Sequence, residues 1–228
     1  MKKIAVILSG CGVYDGAEIQ EAVFSLLCIA QKGASYQCFA PDIQQHHVVN
    51  HSTGEEMKET RNVLVEAARI ARGDIKSLAL YKPEEFDGLI IPGGFGAAKN
   101  LTKWAFNGPD GEIDPHVQKA IVTTTTAKKP VAALCMGPAV VARAFKGSNV
   151  KPALTVGTTD EKSPYDIKAV SQGLTAAGSV AVMKSVREIQ IDTENKIISA
   201  PCYMMEATID AVYANTQQAI NALFSFLK

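Results

Sequence analysis

The chain has 228 residues, with 23 basic and 23 acidic side chains and a formal net charge of zero. Its 47% hydrophobic and 20% charged residues suit a folded domain with a full core, and without a basic excess no nucleic-acid partner is expected. The five cysteines are odd in number and form no Cys-x-x-Cys pair, so neither a disulfide framework nor a zinc site is expected, and a reducing cytoplasm is the expected compartment.

Ile4 to Leu8 is an unbroken apolar run with a glycine-rich exit, the pattern of a buried parallel strand. Lys2-Lys3 and Leu8-Ser9-Gly10-Cys11 imitate the start of an exported lipoprotein. The five apolar residues between them fall short of the about 7–15 that a signal peptide needs, so export is not expected. A helix is predicted over 16–32 and a second strand over Tyr36 to Ala40. Residues 41–76 are polar, irregular to Gly54 and then helical in spacing from Glu56 to Arg72 (Val63, Ala67, Ile70). Gly88 to Pro92 reads as a third buried strand, ending in Gly93-Gly94-Phe95-Gly96. A helix at about 115–128 precedes a short strand, Val131 to Leu134, and a helix opened by Gly137 and Pro138. A strand near 153–156 follows, then a hairpin of Glu188 to Asp192 with Lys196 to Ala200. The closing helix carries Ile209, Val212, Thr216, Ala219, Ile220, Leu223 and Leu227 on one stripe. Strands alternating with helices predict one α/β domain over residues 1–228, its mostly parallel sheet covered on both faces. No stretch is long and apolar enough for a membrane span.

Sites in such folds form at the carboxyl ends of strands, where three loops are informative. The first, Gly10 to Asp15, invites a dinucleotide reading. Asp15 stands where the third glycine should be, and with Glu18 it puts negative charge where a pyrophosphate would sit. Gly93 to Gly96 is not followed by Gly-Lys-Ser/Thr, so it is no P-loop. The third loop holds Cys135 between strand and helix. There its sulfur points out of the sheet edge at the positive end of a helix, which favours thiolate and makes a nucleophile elbow. An inert buried cysteine is the other reading of that position.

The acids separate by spacing. Asp15 and Glu18 have capping-box spacing, which accounts for both. Glu21 has no such role; it is either a solvated helix charge or a carboxyl held at the site rim, where partial burial would keep it protonated beside a thiolate. Gly93-Gly94 either makes a tight turn or presents the Gly94 N–H, with that of Met136, to a developing oxyanion. His46 and His47 are expected on a surface loop, and no carboxylate is spaced to join them on a metal. His51, in a turn-rich stretch, could line the site.

These features together resemble the class I glutamine amidotransferase-like superfamily, in its PfpI group. The carriers are the first strand, Glu21 in Glu-Ile-Gln-Glu-Ala-Val, Pro92 to Gly96 and Ala133 to Pro138. Ser9 to Gly16, Thr60 to Val63, Gly94 to Asn100, and Ala200-Pro201 with Tyr203-Met204 narrow the resemblance to the ElbB-type isoprenoid-biosynthesis branch. It implies a flavodoxin-like three-layer sandwich, often a homodimer, with Cys135 as nucleophile and Glu21 as its protonated partner. Glu18, Gly93, Phe95, Asn100 and His51 are then candidates for the lining. It also implies a glyoxalase without metal, glutathione or other cofactor, acting on small 2-oxoaldehydes such as glyoxal. No histidine follows His116, so the glutaminase triad of the superfamily is missing. A cysteine-based oxidation sensor and an accessory protein of isoprenoid biosynthesis are the alternatives.

Overall fold

The computed structural model describes residues 1–227. In chain order the elements are β1 (Lys3–Ile7), α1 (Ile19–Gln31), β2 (Ser35–Ala40), α2 (Val63–Ile70), β3 (Ile75–Ser77) and β4 (Gly88–Ile91). A π-helical turn (Ala97–Leu101) leads to α3 (Trp104–Asn107), α4 (Pro115–Thr126), β5 (Val131–Leu134) and α5 (Gly137–Phe145). Then come β6 (Ala153–Leu154), α6 (Ile167–Ala176), β7 (Val180–Ala181), β8 (Gln190–Asp192), β9 (Ile197–Ala200) and α7 (Ile209–Ser225).

The main sheet runs β3-β2-β1-β4-β5-β9-β8, parallel except for the β8–β9 hairpin. Setting aside the edge strands β3 and β8, the parallel strands run second, first, third, fourth, fifth, which is the flavodoxin-like order. β4 and β5 are continuous apolar runs, and β1 after Lys3 and β9 apart from the buried Ser199 are the same, because helices cover both sheet faces. α1 and α7 pack together on one face and α4 and α5 on the other. The chain leaves β1 in one direction and β4 in the other, so a crevice opens between their carboxyl ends.

Several expectations are corrected. α1 begins at Ile19, three residues later than expected at 16, because Glu18 is its extended N-cap. Of the helix expected over 56–72 only Val63–Ile70 forms. Glu56 and Asn62 instead pair with Val49 and Gln44, and the Asn62 side chain caps α2 at the Val65 N–H. The strand near 153–156 is real but pairs with β7 in a separate small sheet. Ile209 lies off the buried stripe of α7 and is exposed, while Val212, Thr216, Ala219, Ile220 and Leu223 are buried. β3 and α6 were not expected from the pattern.

Candidate active site at the Cys135 turn

β5 ends at Leu134, and Cys135 adopts φ 55°, in the left-handed region. Such a conformation in a non-glycine residue costs about 1–3 kcal/mol and persists only where its surroundings fix it. Here the Cys135 N–H still donates to Ala200 O at 2.9 Å, holding the turn to β9 while the chain swings into α5. Gly137 permits the swing: a Cβ there would lie 2.7 Å from Ile91 O. Pro138 starts the helix with a fixed φ.

Glu21, in the first turn of α1, is completely buried. Its Oε2 accepts from Gly93 N–H at 3.0 Å and its Oε1 from Tyr203 N–H at 3.2 Å. The carboxyl also reaches the Cys135 thiol. Burial, reinforced by Glu18, pushes its pKa up to about 8 against those donors. Glu18 accepts from Glu21 N–H at 2.7 Å, fixing the first turn, and burial raises its own pKa.

Gly93 joins the two groups. A Cβ on it would lie 2.3 Å from Cys135 Cβ, 2.7 Å from Cys135 Sγ and 2.6 Å from Glu21 Oε2. Only glycine lets the sulfur and the carboxyl flank this backbone. The N–H groups of Gly94 and Met136 both reach the Cys135 sulfur, the convergence expected of oxyanion donors.

The expected thiolate is corrected. Burial, then the Glu21 carboxyl, raise the Cys135 thiol well above its ordinary range, and the two N–H groups only partly offset this. A helix terminus contributes about 2 kcal/mol at most. Complete burial shifts a pKa by about 3–5 units, each worth about 1.4 kcal/mol. Burial wins, and the Cys135 pKa moves up, towards the thiol.

Cys135, Gly94, Phe95 and Met136 line a cavity of about 250 Å³ with Trp104, Tyr165, Val170, Tyr203 and Met204. Gly93 lies between Cys135 and Glu21, and Glu18 caps the helix that carries Glu21. Of the five expected lining residues only Phe95 is on the cavity wall; Glu18, Gly93, Asn100 and His51 are not. Asn100 is a buried clamp: its Nδ2 donates to Ser9 O and Asp15 O at 2.9 Å, and its Oδ1 accepts from His46 N–H at 3.0 Å. His51 is exposed, its Nδ1 3.0 Å from Val49 O and its Nε2 accepting from Tyr14 N–H at 3.2 Å. The capping box is likewise corrected, since Asp15 accepts from Val49 N–H at 2.8 Å and leaves the cap to Glu18. Residues 46–51 therefore clasp the loop after β1.

Trp104, Tyr165 and Val170 were missed by the sequence reading, because α3 and the α6 region are far from the Cys135 motif in the chain. The signals available were the single tryptophan of the chain and the Ser-Pro-Tyr turn before α6. Cys202 was not placed either. It is buried near Cys135 with φ 46°, its sulfur 3.6 Å from the Thr216 hydroxyl.

No family model matches the chain. It is similar to the ES1 protein homolog, mitochondrial, of Rattus norvegicus, 40% identical over 215 residues that cover 92% of this chain and 79% of that protein. It is also 39% identical over 215 residues to the glutamine amidotransferase-like class 1 domain-containing protein 3, mitochondrial, of Homo sapiens, covering 92% and 78%. Among solved structures, an isoprenoid biosynthesis protein with amidotransferase-like domain from Ehrlichia chaffeensis superposes with a TM-score of 0.90 at 36% identity, covering all of both chains. The cytoplasmic placement expected from the cysteines is overturned by the curated relatives, which are named mitochondrial. Unpaired cysteines do not choose among compartments. With this identity spread along its length, the chain belongs to the ES1 family of class I glutamine amidotransferase-like proteins.

Proposed function

We propose that the protein converts glyoxal and related 2-oxoaldehydes to 2-hydroxy acids without metal or glutathione. The observation that carries this reading is the buried Cys135–Glu21 pair around Gly93, with the N–H groups of Gly94 and Met136 on the sulfur. In the pair that has lost one proton Glu21 is the carboxylate, and it takes the Cys135 proton as the sulfur attacks, which leaves a thiolate beside a protonated acid. The thiolate adds to the aldehyde carbon, forming a C–S bond, and the Gly94 and Met136 N–H groups hold the new oxyanion. Glu21 donates its proton to that oxygen. As a carboxylate it then removes the hydrogen on the same carbon, the hydroxyl proton there passes to the neighbouring oxygen, and Glu21 returns its proton to the neighbouring carbon of the enediol so formed. The result is a 2-hydroxy thioester on Cys135, which water cleaves to the hydroxy acid and free thiol. One carbon is oxidised and its neighbour reduced, so no external oxidant is required. Glyoxal gives glycolate.

No histidine is among the cavity-lining residues, and His116 is exposed at the start of α4, so the class name brings no glutaminase triad with it. The oxidation-sensor alternative asks for a low-pKa thiol, and the upward shift that burial gives Cys135 does not favour it. The test is glycolate formation from glyoxal. Cys135→Ser is expected to fall to the background rate and Glu21→Gln by at least about 100-fold, the usual scale of a lost acid–base group. A Cys135→Ser variant that keeps the parent rate contradicts the proposal.

A further inference from the structure

We infer that the site is shaped for a 2-oxoaldehyde bearing an apolar, ring-sized side group, in preference to glyoxal itself. This rests on the aldehyde chemistry proposed above and extends it from the reacting carbons to the rest of the substrate.

The cavity over Cys135 encloses about 250 Å³, far more than a two-carbon dialdehyde fills. Its polar groups belong to the reacting end: the Cys135 thiol, the N–H groups of Gly94 and Met136, and the Tyr165 phenol. The Tyr203 hydroxyl is taken by Gln20. Val13, Ala98, Trp104, Val170 and Met204 make the remaining wall apolar. Glyoxal bound at the sulfur leaves that wall facing water, whereas an alkyl or aryl group covers it, and covering apolar surface is favourable in proportion to its area.

The wall is also held in place. The Trp104 ring lies against Gly173 of α6, where a Cβ would come within 2.7 Å of its Cζ2. The same helix brings Val170 to the lining, so α3 and α6 together fix an aromatic wall. Phe95 and Tyr165 meet edge to face with ring centroids 5.5 Å apart, adding a second rigid aromatic pair. Rigid rings suit a flat substituent better than a chain of waters.

The test compares glyoxal with phenylglyoxal on the parent and on Val170→Phe, a half-buried position that can be enlarged into the cavity. Phenylglyoxal is expected to show a kcat/KM at least about tenfold above glyoxal, since a single methylene in a fitting pocket is worth about 10–200-fold. Val170→Phe fills the space the ring would take, and it is expected to lower the phenylglyoxal-to-glyoxal ratio of kcat/KM by at least about tenfold. Equal kcat/KM for the two aldehydes, or equal losses of both in Val170→Phe, overturns the side-group preference and leaves the aldehyde chemistry standing. Absence of turnover with either aldehyde counts against the chemistry instead. Trp104, the single tryptophan, gives a binding readout independent of turnover. Quenching of its fluorescence by mandelate at concentrations at least about tenfold below those of glycolate supports the preference. Equal quenching by both, or none by either, overturns it.

Discussion

At the scale of residues, two effects compete at Cys135, and their sizes decide the outcome. The helix terminus and two N–H groups favour a charged sulfur, while burial and the neighbouring carboxyl oppose it more strongly. The acid beside it releases its proton only near pH 8. The reaction rate is therefore expected to rise as pH climbs through about 8, where the pair loses its first proton. A pH–rate profile for glyoxal checks this, and a rate already flat between about pH 6 and 9 contradicts it. Gly93→Ala pushes a methyl into both reacting groups. Its expected cost is about 2 kcal/mol or more in urea unfolding, together with loss of turnover, as overpacking of a filled core predicts. Cys135 stands out in the sequence as a cysteine at a strand-to-helix turn, whereas Glu21 and Gly93-Gly94 each keep a plain structural reading there and are singled out only through the family resemblance. The charge on the sulfur was not legible. It depends on how completely Tyr203, Glu18 and the sheet enclose the pair, and those neighbours converge only in the folded chain.

Among the elements, the first turn of α1 carries the most function. Glu18 caps the helix and sets the position of Glu21 through one hydrogen bond, and its charge helps to raise the Glu21 pKa. Glu18→Gln keeps a capping oxygen and removes the charge. The rising limb of the pH–rate profile is expected to move to lower pH with little loss of stability, and an unmoved profile shows that Glu18 acts only as a cap. The glycine-rich loops serve backbone packing more than phosphate binding. Phe95 N–H donates to Val13 O at 2.7 Å, Gly96 N–H to Gly16 O at 2.8 Å and Glu18 N–H to Gly93 O at 3.0 Å. Asn100 then clamps this double loop from the π-helical turn, a type of irregularity that recurs at functional sites. The central strands were legible because parallel strands buried on both faces are plain apolar runs. α6 was not, since Gly173 weakens its helical pattern for the sake of contact with Trp104. Residues 56–62 kept a helical spacing that bridge pairing to 44–49 overrides.

For the whole molecule, the order of the sheet places the site. β1 and β4 send their chains apart, the loops after them pack into one unit, and β5 delivers Cys135 beside it. Stability should register the buried acid. In the folded protein Glu21 keeps its proton to about pH 8, whereas its ordinary pKa is 4.5. Between those values the folded state holds the extra proton, so this contribution is present in full below 4.5 and is lost as pH rises through 8. Glu21→Gln is therefore expected to match the parent near pH 4.5 and to exceed it at pH 8 by about 3–5 kcal/mol, read by urea unfolding at both pH values. The Cys135–Glu21 pair thus costs the fold stability at the pH where the proposed chemistry operates.

The central claim is that Cys135 carries the substrate as a thioester, and acid-quenched turnover read by peptide-mapping mass spectrometry tests it most directly. With glyoxal the account predicts a glycolyl adduct on Cys135 that disappears as glycolate accumulates over many turnovers, with no such adduct in Cys135→Ser. Glycolate formed at the parent rate with Cys135 unmodified, or adducts confined to Cys11 and surface lysines, would contradict it.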